Sequence, residues 1–476
     1  MDNKERIRQI AEEKAGVIGQ MNRDVWSYAE SGYKEFKSAA KLEEVLREEG
    51  FQVEAGIADI ETAFVGTYGN GGPVIGIMGE YDALPNLSQQ AGVAKRCPIE
   101  GQSYGHGCGH SALGAGAVGA ALIVKKFLED TGMPGTIKVF GCPAEEAGFG
   151  KGFMAKAGCF DGLDMAFSWH PMDLNMCFPR SVANYKVRFD FKGKTSHAGA
   201  SPELGRSALD ACELMNVGVN YLREHVVSDA RIHYAYLDCG GDAPNIVQGH
   251  ASVLYFVRAP RLSMSAEILE RIKKIAQGAA LMTETEVSVK VLGGLSDFIP
   301  NPTASTLLSD AFIAQGGPDF GEEEYAIARE FLAAMPEEQR EKSLAAGAKM
   351  NGLTKEEFAK RPLNTTVIPY TEKVRESLST GSTDVGDVSY LVPTGQYTAA
   401  VGIPGTGPHT WQFAAQVGTS IGDKASVAIA RAMAYACTFV YEKPELAGQA
   451  KKELLEETGG VYNCPIPDDV KPGEGM

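Results

Sequence analysis

Apolar and polar positions change their period along this chain, and each change marks an element. Up to about Gly50 the apolar residues recur every three to four positions, most clearly in AAKLEEVLREEGF (39–51), so the opening is helical. Strand-like runs follow in ETAFVGTYG (61–69) and PVIGIMGEYDALP (73–85), the second closed by a polar turn and a proline. SALGAGAVGAALIVKKFLED (111–130) predicts a long helix whose small residues suit close packing on a sheet. TIKVFG (136–141) reads as a strand, KGFMAKAGCF (151–160) as a short helix, and DMAFSW (164–169) as a strand ending at His170. Strands alternating with helices predict an α/β fold with a mixed, mostly parallel sheet, and such sheets gather their sites at strand carboxyl ends.

The pattern changes near residue 184. Strands 184–193, 231–240, 251–260 and 286–293 alternate with helices 205–226 and 264–284 in the order β-α-β-β-α-β. This predicts an inserted second domain over 184–294, flanked by the two parts of a main domain, 1–183 and 295–476. A length of 476 residues supports more than one core. Residues 317–360, rich in Glu, Lys and Ala, predict a solvated helical insertion. The final helix is expected at 424–443 and a loose tail from about Gly459.

Composition narrows the class. Hydrophobic content of 44% and charged content of 22% are those of a globular chain, and a net charge of −16 argues against nucleic acid or an anionic membrane as partner. The charged helical start does not read as a signal peptide, and no 18-residue apolar span is expected. Nine scattered cysteines, an odd number without paired spacing, suggest reduced thiols and a cytoplasmic location.

The chemistry concentrates in two segments. GHGCGHSALGAG (105–116) sets Cys108 and His110 two positions apart on a glycine loop, and CPAEEAG (142–148) sets Glu145 and Glu146 after an apolar strand. Thiolate, imidazole and carboxylate suit a divalent metal such as zinc, and a second carboxylate beside a ligand suits a general base. His170 and His409, read as loop histidines beside Gly or Pro, extend the donor set; a structural zinc site would instead use CxxC pairs, which are absent here. Asp82 is a candidate to orient a histidine through its second nitrogen, and His197, in the inserted domain, is a lid candidate. Gly114, Gly116 and Gly119 match G-x-G-x-x-G, but no strand directly precedes them and Val139 stands where an acidic residue belongs. Tight helix packing explains them better than a dinucleotide.

Taken together, GEYDALP, GHGCGH, CPAEEAGFGKGFMAKAG, KTSHAGASPELGRSALDA, STDVGDVSYLVP and PHT resemble the M20 metallopeptidase family, most of all its amidohydrolase branch. The resemblance implies a catalytic α/β domain holding two divalent metal ions, Zn or Mn, and an inserted ferredoxin-like lid that also makes a homodimer. By motif, Cys108 would bridge the metals, His110 and His170 would complete one, and Glu146 and His409 the other. Glu145 would be the general base, and His197 and Asn245 would reach the scissile carbonyl from the same or the partner subunit. Arg258 is the candidate for the substrate's free carboxylate. The implied activity is hydrolysis of an N-acyl amino acid or dipeptide, with p-aminobenzoyl-glutamate the best single substrate. A non-catalytic subunit on this fold, or one that needs a related second subunit, is the alternative. Ser111 and Glu80 depart from the pattern: many relatives outside the branch place a metal-binding His where Glu80 stands.

Overall fold

A computed structural model describes residues 2–474, so residue 1 and residues 475–476 of the expected outer segments lie outside the described residues. Six strands form the main sheet, in the order Gln52–Ala55, Phe64–Asn70, Gly135–Gly141, Val74–Gly79, Met165–Met172, Thr394–Ala400. The first two pairings are antiparallel and the other three parallel, giving the mixed, mostly parallel sheet expected. Helices Asn3–Tyr28, His110–Thr131, Pro302–Gln315 and Ser420–Glu442 share one core with the sheet.

The central helix, His110–Thr131, shows why its sequence is rich in small residues. A Cβ on Gly114 would stand 2.8 Å from the Glu80 carbonyl oxygen, one on Gly116 2.8 Å from Trp169 Nε1, and one on Gly119 2.7 Å from Ile18. The G-x-G-x-x-G spacing is therefore a packing device. This helix is long and apolar enough to cross a membrane by composition, which corrects the expectation that no such span exists; 89% of its most apolar window is buried inside the fold.

A second sheet is wholly antiparallel, ordered Arg231–Asp238, His250–Ala259, Ala183–Lys192, Glu286–Leu295. Its odd-numbered residues Val187, Phe189, Phe191, Val253, Tyr255 and Val257 pack on helices Ala208–Leu222 and Leu262–Thr283. Because alternate residues face opposite sides of a strand, Asn184, Phe256 and Arg258 stand on the other face. This is the ferredoxin-like unit expected from the element order.

Two expectations need correcting. The 317–360 segment forms helices Glu322–Ala334, Glu337–Asn351 and Lys355–Lys360, and it is not simply solvated. Phe320, Phe331, Leu332 and Leu363 pack on Ile403, Ala415 and Ile421, buttressing the loop that carries His409. The tail beyond Gly459 is also packed: Ile466 and Val470 are buried against Phe153 and Phe298, and Lys156 Nζ donates to the Ile466 and Pro467 carbonyls. Its prolines and glycines fit a chain without regular hydrogen bonding that is nonetheless anchored by two apolar side chains.

Candidate metal centre and active site

The two segments singled out in the sequence meet at the carboxyl edge of the main sheet. Gly109, with φ 82°, caps the central helix, and a Cβ there would lie 2.7 Å from Pro171; only glycine lets the Cys108 loop approach His170. His110 is the first residue of that helix and His170 lies within strand Met165–Met172, so neither is the loop histidine the sequence suggested. His409 does sit in a loop, at φ 65°, with its N–H donating to the Gly107 carbonyl at 2.7 Å.

Cys108, His110 and His170 present one ligand atom each within 4.8 Å of one another, and so do Cys108, Glu146 and His409. The two groups share Cys108. Its Sγ lies 3.4 Å from His170 Nε2. His170 Nδ1 is 2.8 Å from the Pro171 carbonyl, which can only accept, so the proton sits on Nδ1 and Nε2 is free to ligate. His110 Nδ1 is likewise 2.7 Å from Asp82 Oδ1, the orienting contact expected of Asp82. Buried Glu146 Oε1 has no hydrogen-bond partner among the described residues, although His409 Nε2 lies 3.4 Å from it, and buried His110 Nε2 faces the Glu80 carboxylate at 3.2 Å without a well-formed hydrogen bond. Orphaned buried donor atoms of this kind, grouped around one thiol, fit divalent metal ions.

Buried ionisable groups crowd one another here and shift one another's proton affinities. Burial and then the Glu146 carboxylate push the Cys108 thiol well above its ordinary range. Burial alone would lower His110, but Cys108, Asp82 and Glu80 outweigh it and raise it. Burial, with His110 adding to it, brings His170 down to about 4. Burial raises Glu145 well above the usual carboxylate range, and Glu80 and Glu146 raise it further.

Glu80 forms a third group with His110 and Glu145. Its Oε2 is 3.2 Å from His110 Nε2 and its Oε1 2.7 Å from Lys151 Nζ, which also pairs with Asp384. The Glu80 charge is therefore met by a fully buried ammonium. Ser111 lies in the first turn of the central helix, buried, with its hydroxyl unpartnered among the described residues.

The donors open into a cavity of about 320 Å³. Cys108, Glu145, Glu146, His170 and His409 form its floor; Asn184, Phe256 and Arg258 of the second sheet form its roof. Arg258 stacks near the Phe256 ring, 5.7 Å from its centroid, and donates to the Thr380 carbonyl at 3.4 Å. His197 and Asn245 are not in this wall. They are exposed and adjacent to each other, Ala198 N donating to the Asn245 carbonyl at 2.9 Å. The N–H groups of Gly199 and Ala200 both donate to His197 Nδ1, at 3.1 and 3.0 Å, which leaves its proton on Nε2.

Sequence reasoning missed Glu35, Lys151, Asn184 and Asp384, each of which is buried at or just behind this site. Lys151 carried a signal, a lysine inside the otherwise apolar GKGFMA (150–155); Glu35 reads as an ordinary charge before a helix.

Residues 76–412 match the family model described as peptidase family M20/M25/M40. The chain is 41% identical over 454 residues to a p-aminobenzoyl-glutamate hydrolase subunit of Escherichia coli strain K12, covering 94% of each chain. It is 27% identical over 464 residues to Xaa-Arg dipeptidase of Mus musculus, covering 95% of this chain and 92% of that one. Among solved structures, a dinuclear metal-binding peptidase of the M20 family from Bacillus subtilis superposes with a TM-score of 0.60 at 17% identity, over 91% of this chain and 99% of the other.

Proposed function

The chain belongs to peptidase family M20/M25/M40, a family of metal-dependent amide hydrolases, and from that premise we propose that it cleaves p-aminobenzoyl-glutamate. The observation that carries the reading is the pair of donor groups sharing Cys108, with the carboxylate of Glu145 in the same cavity and Arg258 across it. The 41% identity to a p-aminobenzoyl-glutamate hydrolase subunit supports the choice of substrate.

In this reading Cys108, His110 and His170 would hold one ion and Cys108, Glu146 and His409 the other, either Zn or Mn. When bound, such ions would supply Lewis acidity toward the scissile carbonyl and a nearby water. Glu145 takes the proton from the attacking water and delivers it to the leaving amine. Arg258 binds the free carboxylate of the amino-acid portion. His197, with its proton on Nε2, donates to the carbonyl oxygen as it gains charge, and Asn245 assists. These two stand outside the cavity of their own chain, which supports either lid movement or a homodimer in which they serve the partner.

The division into 1–183, 184–294 and 295–476 and a cytoplasmic location belong to the same proposal. Dependence on a related second subunit is the alternative, favoured because the Escherichia coli relative is itself named as one subunit of a hydrolase.

Assay of the purified chain with Mn²⁺ or Zn²⁺ against p-aminobenzoyl-glutamate, dipeptides and other N-acyl amino acids tests the reading. Release of p-aminobenzoate and glutamate is expected. Glu145→Gln should lower kcat by about 10²–10⁴-fold with metal content unchanged; full activity in that variant would sink the role assigned to Glu145.

A further inference from the structure

The two carboxylates that do separate jobs in this site, Glu145 and Glu146, sit on one short turn, Glu145–Gly148. That turn is bounded by two non-glycine residues in the left-handed region, Ala144 at φ 57° and Phe149 at φ 58°. Side chains there crowd their own backbone, so the conformation persists only if the surroundings over-determine it.

Four contacts from distant parts of the chain do so. Ala144 N donates to Glu35 Oε1 at 2.8 Å, and Glu146 N to Asp82 Oδ2 at 3.0 Å. The Tyr33 hydroxyl donates to the Gly148 carbonyl, and Lys151 N donates to Asp384 Oδ2 at 2.8 Å. Tyr33 and Glu35 come from one loop, SGYKE (31–35), and grip the two ends of the turn. The grip is itself anchored. Glu35 is fully buried and its Oε2 accepts from Thr62 Oγ1 at 3.0 Å, while the Thr62 carbonyl accepts from the Tyr81 hydroxyl at 2.5 Å. Neither Tyr33 nor Glu35 lines the cavity, so neither touches substrate.

We propose that Tyr33 and Glu35 are positioning residues that hold the strained turn so that Glu146 faces the metal and Glu145 faces the substrate. The proposal rests on the roles assigned to Glu145 and Glu146 above. It distinguishes hydrogen bonding from charge: a glutamine at position 35 still presents an acceptor to Ala144 N, and a leucine does not.

The test compares Glu35→Leu, Glu35→Gln and Tyr33→Phe by kcat, KM and Zn²⁺ affinity, the last measured by competition with a chromophoric chelator on the full chain. Glu35→Leu is expected to lower kcat by roughly 10–100-fold with KM within about twofold, and to weaken Zn²⁺ binding through Glu146. Glu35→Gln should restore both to near wild type. Tyr33→Phe, which keeps the ring that packs on Gly148, should lower kcat several-fold. Should Glu35→Leu fail to fold by circular dichroism, Tyr33→Phe decides. Equal impairment in Glu35→Gln and Glu35→Leu overturns the proposal, as does wild-type kcat and Zn²⁺ affinity in Glu35→Leu or, deciding alone, in Tyr33→Phe. If the wild type hydrolyses none of the substrates, the functional reading fails, while the Zn²⁺ competition still judges the clamp.

Discussion

Cys108 stands in both donor groups, so its loss differs in kind from the loss of a terminal ligand. Removing His409 takes one donor from one group; removing Cys108 takes one from each. Elemental analysis after equilibration with Zn²⁺ should find about one ion fewer per chain in His409→Ala and near-complete loss in Cys108→Ala. Unchanged metal content in Cys108→Ala would remove the thiol from the site. A second residue-scale prediction concerns Glu35, which burial and then the Asp82 carboxylate push up to about 8 from 4.5. Between those values the folded chain holds a proton that the unfolded chain has released, so stability tied to Glu35 is lost as pH rises through that window. Glu35→Gln cannot titrate. The melting temperature of wild type minus that of Glu35→Gln should therefore fall between pH 4.5 and 8 and level off above it. A difference that stays constant across the window contradicts the assignment.

At the scale of elements, the central helix carries the site only because it lies so close to the sheet. Gly116 meets the Trp169 indole, whose Nε1 donates to the Leu113 carbonyl at 3.0 Å. Gly116→Val drives a branched side chain into that contact and should cost about 1–3 kcal/mol, read as a drop of a few degrees in calorimetry. An unchanged melting temperature would mean that the helix can move off the sheet. Such close packing is legible in sequence, because a run of small residues in helical period has few other uses. The donors were legible for a related reason: Cys108 and His110 are near neighbours in the chain, and so are Glu145 and Glu146, so each pair survives as a motif. Glu35 and Asp384 act on Ala144 N and Lys151 N across 109 and 233 positions, and nothing local marks a carboxyl group as buried. The tail misled for the opposite reason. Proline and glycine speak to backbone regularity, whereas Ile466 and Val470 decide whether the segment packs.

For the whole molecule, the question is whose cavity His197 and Asn245 serve. The second sheet ends in strand Arg231–Asp238, whose outer edge is unpaired within the four-stranded order and exposes Tyr234 and Tyr236. Beside it in the same unit, helix Ala208–Leu222 exposes Leu214, Val217 and Tyr221, the last at 77% of its full accessibility. An open strand edge and an apolar helix stripe in one small unit suit pairing with a second copy about a two-fold axis. In the proposed homodimer each His197 is carried away from its own metal ligands, toward those of the partner. Mixing tests this directly. His197→Ala and Glu145→Gln are each expected to be inactive alone, but a hybrid of the two holds one cavity with an intact base and an intact donor. Co-refolding or subunit exchange should then restore a substantial fraction of wild-type activity, alongside a dimer in sedimentation. If exchange is verified and activity does not return, His197 acts within its own chain and the lid must close to bring it there.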